Sequence, residues 1–485
     1  MSHTSFVSFV RPLVVAALML GTVIAGAPDA RSAETFPGGF VEKVTGGETR
    51  PNPSAAVLSR LLPTRGGFTF PSPWNTEGVR ITNSSDCNGA DCVIPVGYSY
   101  WRNMNNSAGS DTMLIFLGLG SAAGGPTLFS YNKNTDEVKK VGPLFDSSNP
   151  LSGATGEGWY FSATMPKALY LNSGSRMQRY DVSTKKMSVV FDAATQMGGG
   201  IYIWQMHSSD DDQVHVATVR SSASSAMMGC IAYREAEKRF SWFAARGTLD
   251  ECHLDKAGRY LIMLDNVDGA DGEDNRIIDL TTGRETTVMD RQGAAGHADT
   301  GYGYIVNEDN WSSEPGAVLL RTFNPPSTRP VYHTADWNVG VGHITHGNAL
   351  PGVTPDKQFV CSSNAMRGNY PRANEIICYR LDGSMDVLVV APVMTDLNAS
   401  GGGDDYSKSP KGNMDVTGQY MLWTSNTGGN RVDAFLVKVP AHRLVSTSVV
   451  STPKPPTGGT GGGMTLEEAK AKVLTIRGRK GVRRR

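Results

Sequence analysis

Between about Ile94 and Val450 the apolar residues come in short runs of a few positions, each closed by Gly, Asp, Asn or Ser, and not in long stretches of helical period. Segments such as RYLIMLDN, RIIDLTTG and QYMLWTS are rich in β-branched and aromatic residues. Bounded by turn-formers, they read as short strands in tight hairpins. The unit recurs about every 45 residues, the period of a four-stranded propeller blade. The clearest copies are DECHLDKAGRYLIMLDN with RIIDLTTGRETTVMD, and KGNMDVTGQYMLWTSNTGGNRVDAFLVKV. In both, a polar turn carrying Gly258 or Gly418 joins two apolar strands, and a second pair follows. Less regular copies fill the interval. The pattern predicts an all-β fold, a β-propeller of seven four-stranded blades over 94–450, preceded by a lead-in and loop segment at 34–93.

The two ends break the pattern. Behind Arg11 an apolar stretch runs from Leu13 to about Ala27 and gives way to APDARSA. It is too short to span a bilayer and has the layout of a secretory leader, assigned to residues 1–33. At the other end, STPKPPTGGTGGG at 451–463 is a linker composition, and residues 464–485 predict a short helix from Thr465 and a basic tail. That tail holds eight Lys or Arg against two Glu, leaving 38 basic and 44 acidic residues elsewhere, so a neutral chain divides into a body of −6 and a tail of +6. Such a tail either contacts an anionic envelope surface or is simply solvated. Nothing in the charge pattern predicts a nucleic-acid partner.

A leader implies export, to the periplasm or beyond, where an even count of six cysteines reads as disulfides. Cys87 and Cys92 flank a tight loop, Cys361 and Cys378 fall on neighbouring strands of one blade, and Cys230 and Cys252 fall on successive blades. No CxxC pair is present, which argues against thiolate zinc and dithiol redox chemistry. The chain also lacks a G-x-S-x-G elbow, an HExxH helix and a CxxCH haem site. GLGSAAGG at 118–125 leads into no helical pattern, so it is no phosphate loop, and GGGDDY at 401–406 reads as a connection.

The candidate chemistry lies in the histidines. Aligned on the inner-strand turn, His207, His253 and His297 share a column, each followed seven residues later by Val214, Tyr260 or Tyr304, and Asn413 holds the column ahead of Tyr420. The spacings from His207 to His253 to His297 to His343 are 46, 44 and 46, with His346 close behind. Three readings stand. The rings serve as blade-to-blade hydrogen-bonding groups, or hold a divalent transition metal as neutral imidazoles, or act as acid and base without a metal. Asp255, Asp299 and Asp415 each follow their column position by two residues and could orient the rings or join as ligands. Under the metal reading the best three converging rings are His297, His343 and His346. In DNVDGADGEDN, Asp265, Asp268, Asp271 and Asp274 offer oxygens suited to Ca²⁺, without the spacing of a calcium loop.

The copy KSPKGNMDVTGQYMLWTSNTGGNRVDAFLV resembles blades of TolB-type propellers, whose serine-proline-aspartate-glycine turn precedes a strand like YMLWTS. Export, seven blades and channel histidines together resemble the oligogalacturonate lyases, whose propeller-borne histidines and a glutamine hold a divalent metal that acidifies a uronate α-proton. On that resemblance His297, His343 and His346 carry over as ligands, while no glutamine and no proton-abstracting base find a match. Two function classes follow. One is an exported propeller that binds a protein or glycan at the cell envelope. The other is a metal-dependent oligouronate lyase-like enzyme. Without a complete set of acid, base and electrophile, the first leads.

Overall fold

The computed structural model describes residues 35–445 apart from 44–46, 108, 147–157, 271, 309–315 and 335–341. The expected leader, linker and basic tail lie outside the described residues. Seven antiparallel sheets of four or five strands form the blades of a β-propeller. Their inner strands are Met104–Asn105, Tyr160–Phe161, Ile201–Ser208, Thr248–Leu254, Ala298–Thr300, His343–Thr345 and Asn413–Met414, for blades one to seven. The sheets bury apolar side chains on both faces, and the cores lie between neighbouring sheets. Ile115 and Phe129 of blade one, for example, pack with Leu422 and Leu436 of blade seven in one cluster. Burying each such side chain contributes about 1.5–3 kcal/mol.

The ring closes through the segment ahead of the repeat. Blade seven takes three strands from the C-terminal end, and its outer edge is completed by Glu77–Arg80 and Gly66–Thr69. Phe40–Lys43 adds a fifth strand to blade six, paired with Asp386–Pro392. Residues 34–93, a lead-in by sequence pattern, thus supply three strands. Behind them a buried ion network fastens the segment down. Arg50 donates to Glu42 at 2.8 Å and to Glu375 at 2.9 Å, and Trp74 Nε1 donates to Glu375 at 2.8 Å. Closure also runs along the channel, where Asn103 and Asn413 exchange hydrogen bonds between blades one and seven.

All six cysteines are paired, Cys87 with Cys92, Cys230 with Cys252 and Cys361 with Cys378. The last pair faces across adjacent strands of blade six, and the second joins blades three and four. Among the described residues no helix is long and apolar enough to cross a membrane.

Candidate functional site at the channel mouth

The inner strands carry the histidines, and strand register decides how they meet. His207 pairs with Val216 and His253 with Ile262, in each case the third residue of the blade's second strand. The third residues in blades five and six, Val306 and Cys361, pair instead with Asp299 and Thr345. His297 and His343 therefore lie two residues upstream, at the level that Glu251 holds in blade four. Because side chains alternate, a two-residue offset keeps the same face and changes only the depth.

The rings assemble as two pairs. His207 and His253 have centroids 4.6 Å apart, and His297 and His343 stack at 4.5 Å. Between the pairs passes Tyr98–Trp101, a segment that crosses from blade six to blade three. Ser99 Oγ donates to Ile344 O, and Trp101 Nε1 donates to Met206 O at 2.8 Å. Tyr98 packs edge-on to His343 at 5.1 Å, Tyr100 lies 5.1 Å from His207 and 4.7 Å from His253, and the two tyrosines stack at 5.2 Å. Tyr98 also meets the hydroxyl of Tyr406, an exposed residue of the short helix Asp405–Lys408 before blade seven.

Glu251 is the hub of the first pair. It accepts from His253 Nε2 at 2.6 Å and from the Tyr100 hydroxyl at 2.8 Å. Ligand atoms of His207, Glu251 and His253 all lie within 4.8 Å of one another, and all three residues are buried. Burial alone would discharge the pair. For Glu251 it is outweighed by the charge and hydrogen bond of His253, which lower its pKa, and for His253 it is outweighed by Glu251, which raises it. For His207 burial, with His253 and Lys256 nearby, holds the ring well below the usual imidazole range. Its Nε2 is buried without a hydrogen-bond partner, as are both ring nitrogens of His343. A buried polar atom left unpaired costs about 1–3 kcal/mol and calls for a missing water, ion or ligand.

Beside this hub opens a cavity of about 520 Å³ whose lining includes Tyr98, Tyr100, Asp250, Glu251, Glu273 and His297. Glu273 reaches it from the loop between the second and third strands of blade four. Burial, with Asp250 and Glu251 nearby, pushes its carboxyl up to about 7.

The other sequence candidates do different work. The ring of His346 is engaged inside the blades, accepting from the Tyr304 hydroxyl at 2.6 Å and donating to Asn348 Oδ1 at 3.1 Å. It stands apart from His297 and His343. Asp255, Asp299 and Asp415 do not orient the channel rings. Asp255 accepts from the backbone of Arg259 and Tyr260 at 2.7 Å and of Gly303 in blade five at 3.0 Å. Asp299 takes the backbone N–H of His346 at 2.5 Å. Asp415 caps Thr417, Gln419 and Tyr420 and takes Asn106 of blade one at 2.8 Å. Asp255 and Asp415 thus close their turns and tie them to a neighbouring blade, and Asp299 ties its strand to blade six. Gly258 and Gly418 sit in these turns at φ +69° and +70°, which a side chain resists. Asp415→Ala should lower stability by about 1–3 kcal/mol through its orphaned donors. It should leave any ion binding at the channel unchanged, measured by urea unfolding beside metal titration. In the blade-four loop Asp265 accepts from Arg246 and Gly247 backbone at 2.9 Å and from Arg276 at 2.8 Å. Asp274 caps Val267 at 2.8 Å and Asp290 at 2.9 Å, so these carboxylates fasten loops. Asp271 lies outside the described residues.

Sequence reasoning did not single out Tyr98, Tyr100, Glu251 or Glu273. For Glu251 a signal existed, since it stands two residues before His253 and so faces the same way.

No protein-family model matches the sequence, and no curated protein is significantly similar to it. Among solved structures the chain is similar to an oligogalacturonate lyase in complex with manganese, with 12% identity, 81% of this chain and 98% of that one covered, and a TM-score of 0.55. An oligogalacturonate lyase from Vibrio parahaemolyticus gives 10% identity, 78% and 98% coverage, and a TM-score of 0.54. TolB from Acinetobacter baumannii superposes more loosely, with 12% identity, 62% and 63% coverage, and a TM-score of 0.31. At these identities the likeness to the lyases shows a shared fold.

Proposed function

We propose that this chain is an exported binding propeller that holds a divalent transition-metal ion at its channel mouth and recognises a protein or glycan ligand at the cell envelope. The observation that carries the metal is the buried His207, Glu251 and His253 set, with donor atoms within 4.8 Å of one another and His207 Nε2 lacking a partner. Two imidazoles and one carboxylate suit first-row divalent ions, Zn²⁺ and Fe²⁺ through the imidazoles and Mn²⁺ through the carboxylate. When bound, the ion would supply Lewis-acid polarisation of a ligand oxygen. Three disulfides accord with export, because such bonds persist in oxidising compartments. Elemental analysis of tag-free protein, with titration by Zn²⁺, Mn²⁺ and Fe²⁺, should give one ion per chain. A chain that takes up none of them is a metal-free binding propeller.

A second reading, a metal-dependent lyase acting on an oligouronate, is favoured by Glu273. A carboxyl pushed up to about 7 can exchange protons near neutrality. This reading expects ultraviolet absorbance from an unsaturated product when oligogalacturonate and Mn²⁺ are supplied together, and none with Glu273→Gln.

A further inference from the structure

We propose that Ser208, His215 and Glu235 form a nucleophile, base and acid relay between blades two and three, an acyl-transfer site that hydrolyses small carboxylic esters. The inference goes beyond the binding reading and does not rest on it. Strand order brings the three together. Ser208 ends the inner strand of blade three and lies directly opposite His215 on the second strand, which in turn lies opposite Tyr233 on the third. Glu235 follows Tyr233 by two residues and so returns to the same face. Ser208 Oγ is 2.6 Å from His215 Nδ1, and His215 Nε2 is 3.0 Å from Glu235 Oε2.

The direction of each hydrogen bond follows from Glu235. The bond from His215, with that from Arg179 of blade two at 2.6 Å, holds its carboxyl down to about 2, so it is ionised and only accepts. His215 therefore carries its proton on Nε2 and presents a bare Nδ1, to which Ser208 donates. With its one proton so used, Ser208 accepts from the Tyr160 hydroxyl of blade two at 2.7 Å. Burial, against the opposing bond with Ser208, raises the Tyr160 phenol, which keeps its proton. The Tyr170 ring, 5.4 Å from that of the fully buried His215, fixes the base from the same blade. A serine hydroxyl on an imidazole that an ionised carboxylate orients is the arrangement of acyl-transfer enzymes, recognised by geometry and not by a sequence elbow. Here the two ring nitrogens are exchanged relative to the serine proteases.

In the reaction Ser208 Oγ bonds to the ester carbonyl carbon while its proton passes to His215 Nδ1 and the π pair moves onto oxygen. Glu235 stays ionised and steadies the imidazolium at Nε2, and Tyr160, no longer needed at Oγ, supplies a donor to the oxyanion. The carbonyl re-forms, the C–O bond to the alcohol breaks, and the alcohol leaves with the proton from Nδ1. Water then attacks the acyl-serine and gives its proton to Nδ1, and the acid departs as Ser208 recovers that proton. Ester and water become acid and alcohol with no other reactant. One neutral donor suits an ester, whose alcohol leaves more readily than an amine. Ser208 is half-buried, which admits a small acyl group in preference to a bulky one.

The test uses chelator-treated full-length protein, so that its outcome does not depend on the metal reading. The chain is treated with a fluorophosphonate probe and, separately, assayed on p-nitrophenyl acetate. The probe should attach at about one per chain, mapped to Ser208 by mass spectrometry, and nitrophenol should appear in a burst of about the same size as the acyl-serine accumulates. Ser208→Ala, with circular dichroism confirming the fold, should take no label and show no burst. Glu235→Gln and Tyr160→Phe leave nucleophile and base in place, and each should slow labelling by roughly tenfold or more. A wild-type chain that takes no label on Ser208, a Ser208→Ala chain that keeps the burst, or Ser208 labelling as fast in Glu235→Gln and Tyr160→Phe as in wild type overturns the proposal.

Discussion

Arg50→Ala should cost about 3–5 kcal/mol of stability, the usual consequence of removing one partner from a buried ion pair. Arg50 is 9% exposed and the Glu375 side chain 1% exposed, so the carboxylate left behind has little water to turn to. Trp74 Nε1 still donates to it, but one neutral donor does not replace a guanidinium. The loss should depend on pH. Burial already raises the pKa of Glu375 against the opposing effect of Arg50, and without Arg50 the rise should be larger. A carboxyl with a raised folded pKa binds more protons folded than unfolded. Its penalty is therefore absent below the unfolded value near 4.5 and grows as pH rises toward the folded one. Urea unfolding of Arg50→Ala at pH 5 and at pH 8 should show the larger deficit at pH 8. A deficit under 1 kcal/mol at both would mean that the N-terminal strands hold the ring closed without this network.

The reason such a residue escapes sequence reading is distance. Blade seven is closed by Glu77–Arg80 against Asp433–Lys438, strands more than 350 positions apart, and nothing local to FVEK, GGFT or EGVR marks them as propeller edges. The repeat itself was legible because blades four, five and seven write their own hairpins: an acid, a glycine with positive φ, then a strand. The Cys361–Cys378 pair was legible because the strand assignment placed the two face to face in one blade. The histidine column was legible only in part, and the reason is a turn length. Blade four closes its first hairpin with Asp255 N donating to Tyr260 O, while blade five does so with Gly301 N donating to Tyr304 O, two residues tighter. Counting back seven from Tyr304 therefore lands two residues upstream, on His297, where the register places Asp299. Tyr98 and Tyr100 were hidden for another reason. YSYW alternates as a strand does, yet here it is fastened by side-chain bonds across the channel.

A chain lacking both rings, His207→Ala with His253→Ala, should lose metal affinity by well over the roughly 10–100-fold that follows from losing an outer partner of a ligand. The pH dependence of the native chain is the sharper measurement. His207 is held neutral by burial, so its lone pair is available even in mildly acid solution. His253 is not, because Glu251 raises its pKa and keeps the proton between them. An entering ion must displace that proton, so affinity should fall about tenfold per pH unit below the folded pKa of His253, with one proton released per ion. Without metal the pair makes its own contribution to stability. The raised His253 stabilises fully below its unfolded value near 6.5, and that part is lost as pH rises through the folded value. The lowered Glu251 stabilises above its unfolded value near 4.5, and that part is lost as pH falls through the folded one. The pair's contribution to the apo-protein should therefore be greatest between these limits. Saturating Zn²⁺, binding only the folded state, adds a term that grows with affinity and so keeps rising above pH 6.5. Thermal melts with and without Zn²⁺ should diverge on the alkaline side and converge on the acid side. If Zn²⁺ shifts the melting temperature equally at pH 5 and pH 8 and releases no proton on binding, His253 is not a ligand, and the ion, if any, sits elsewhere in the channel.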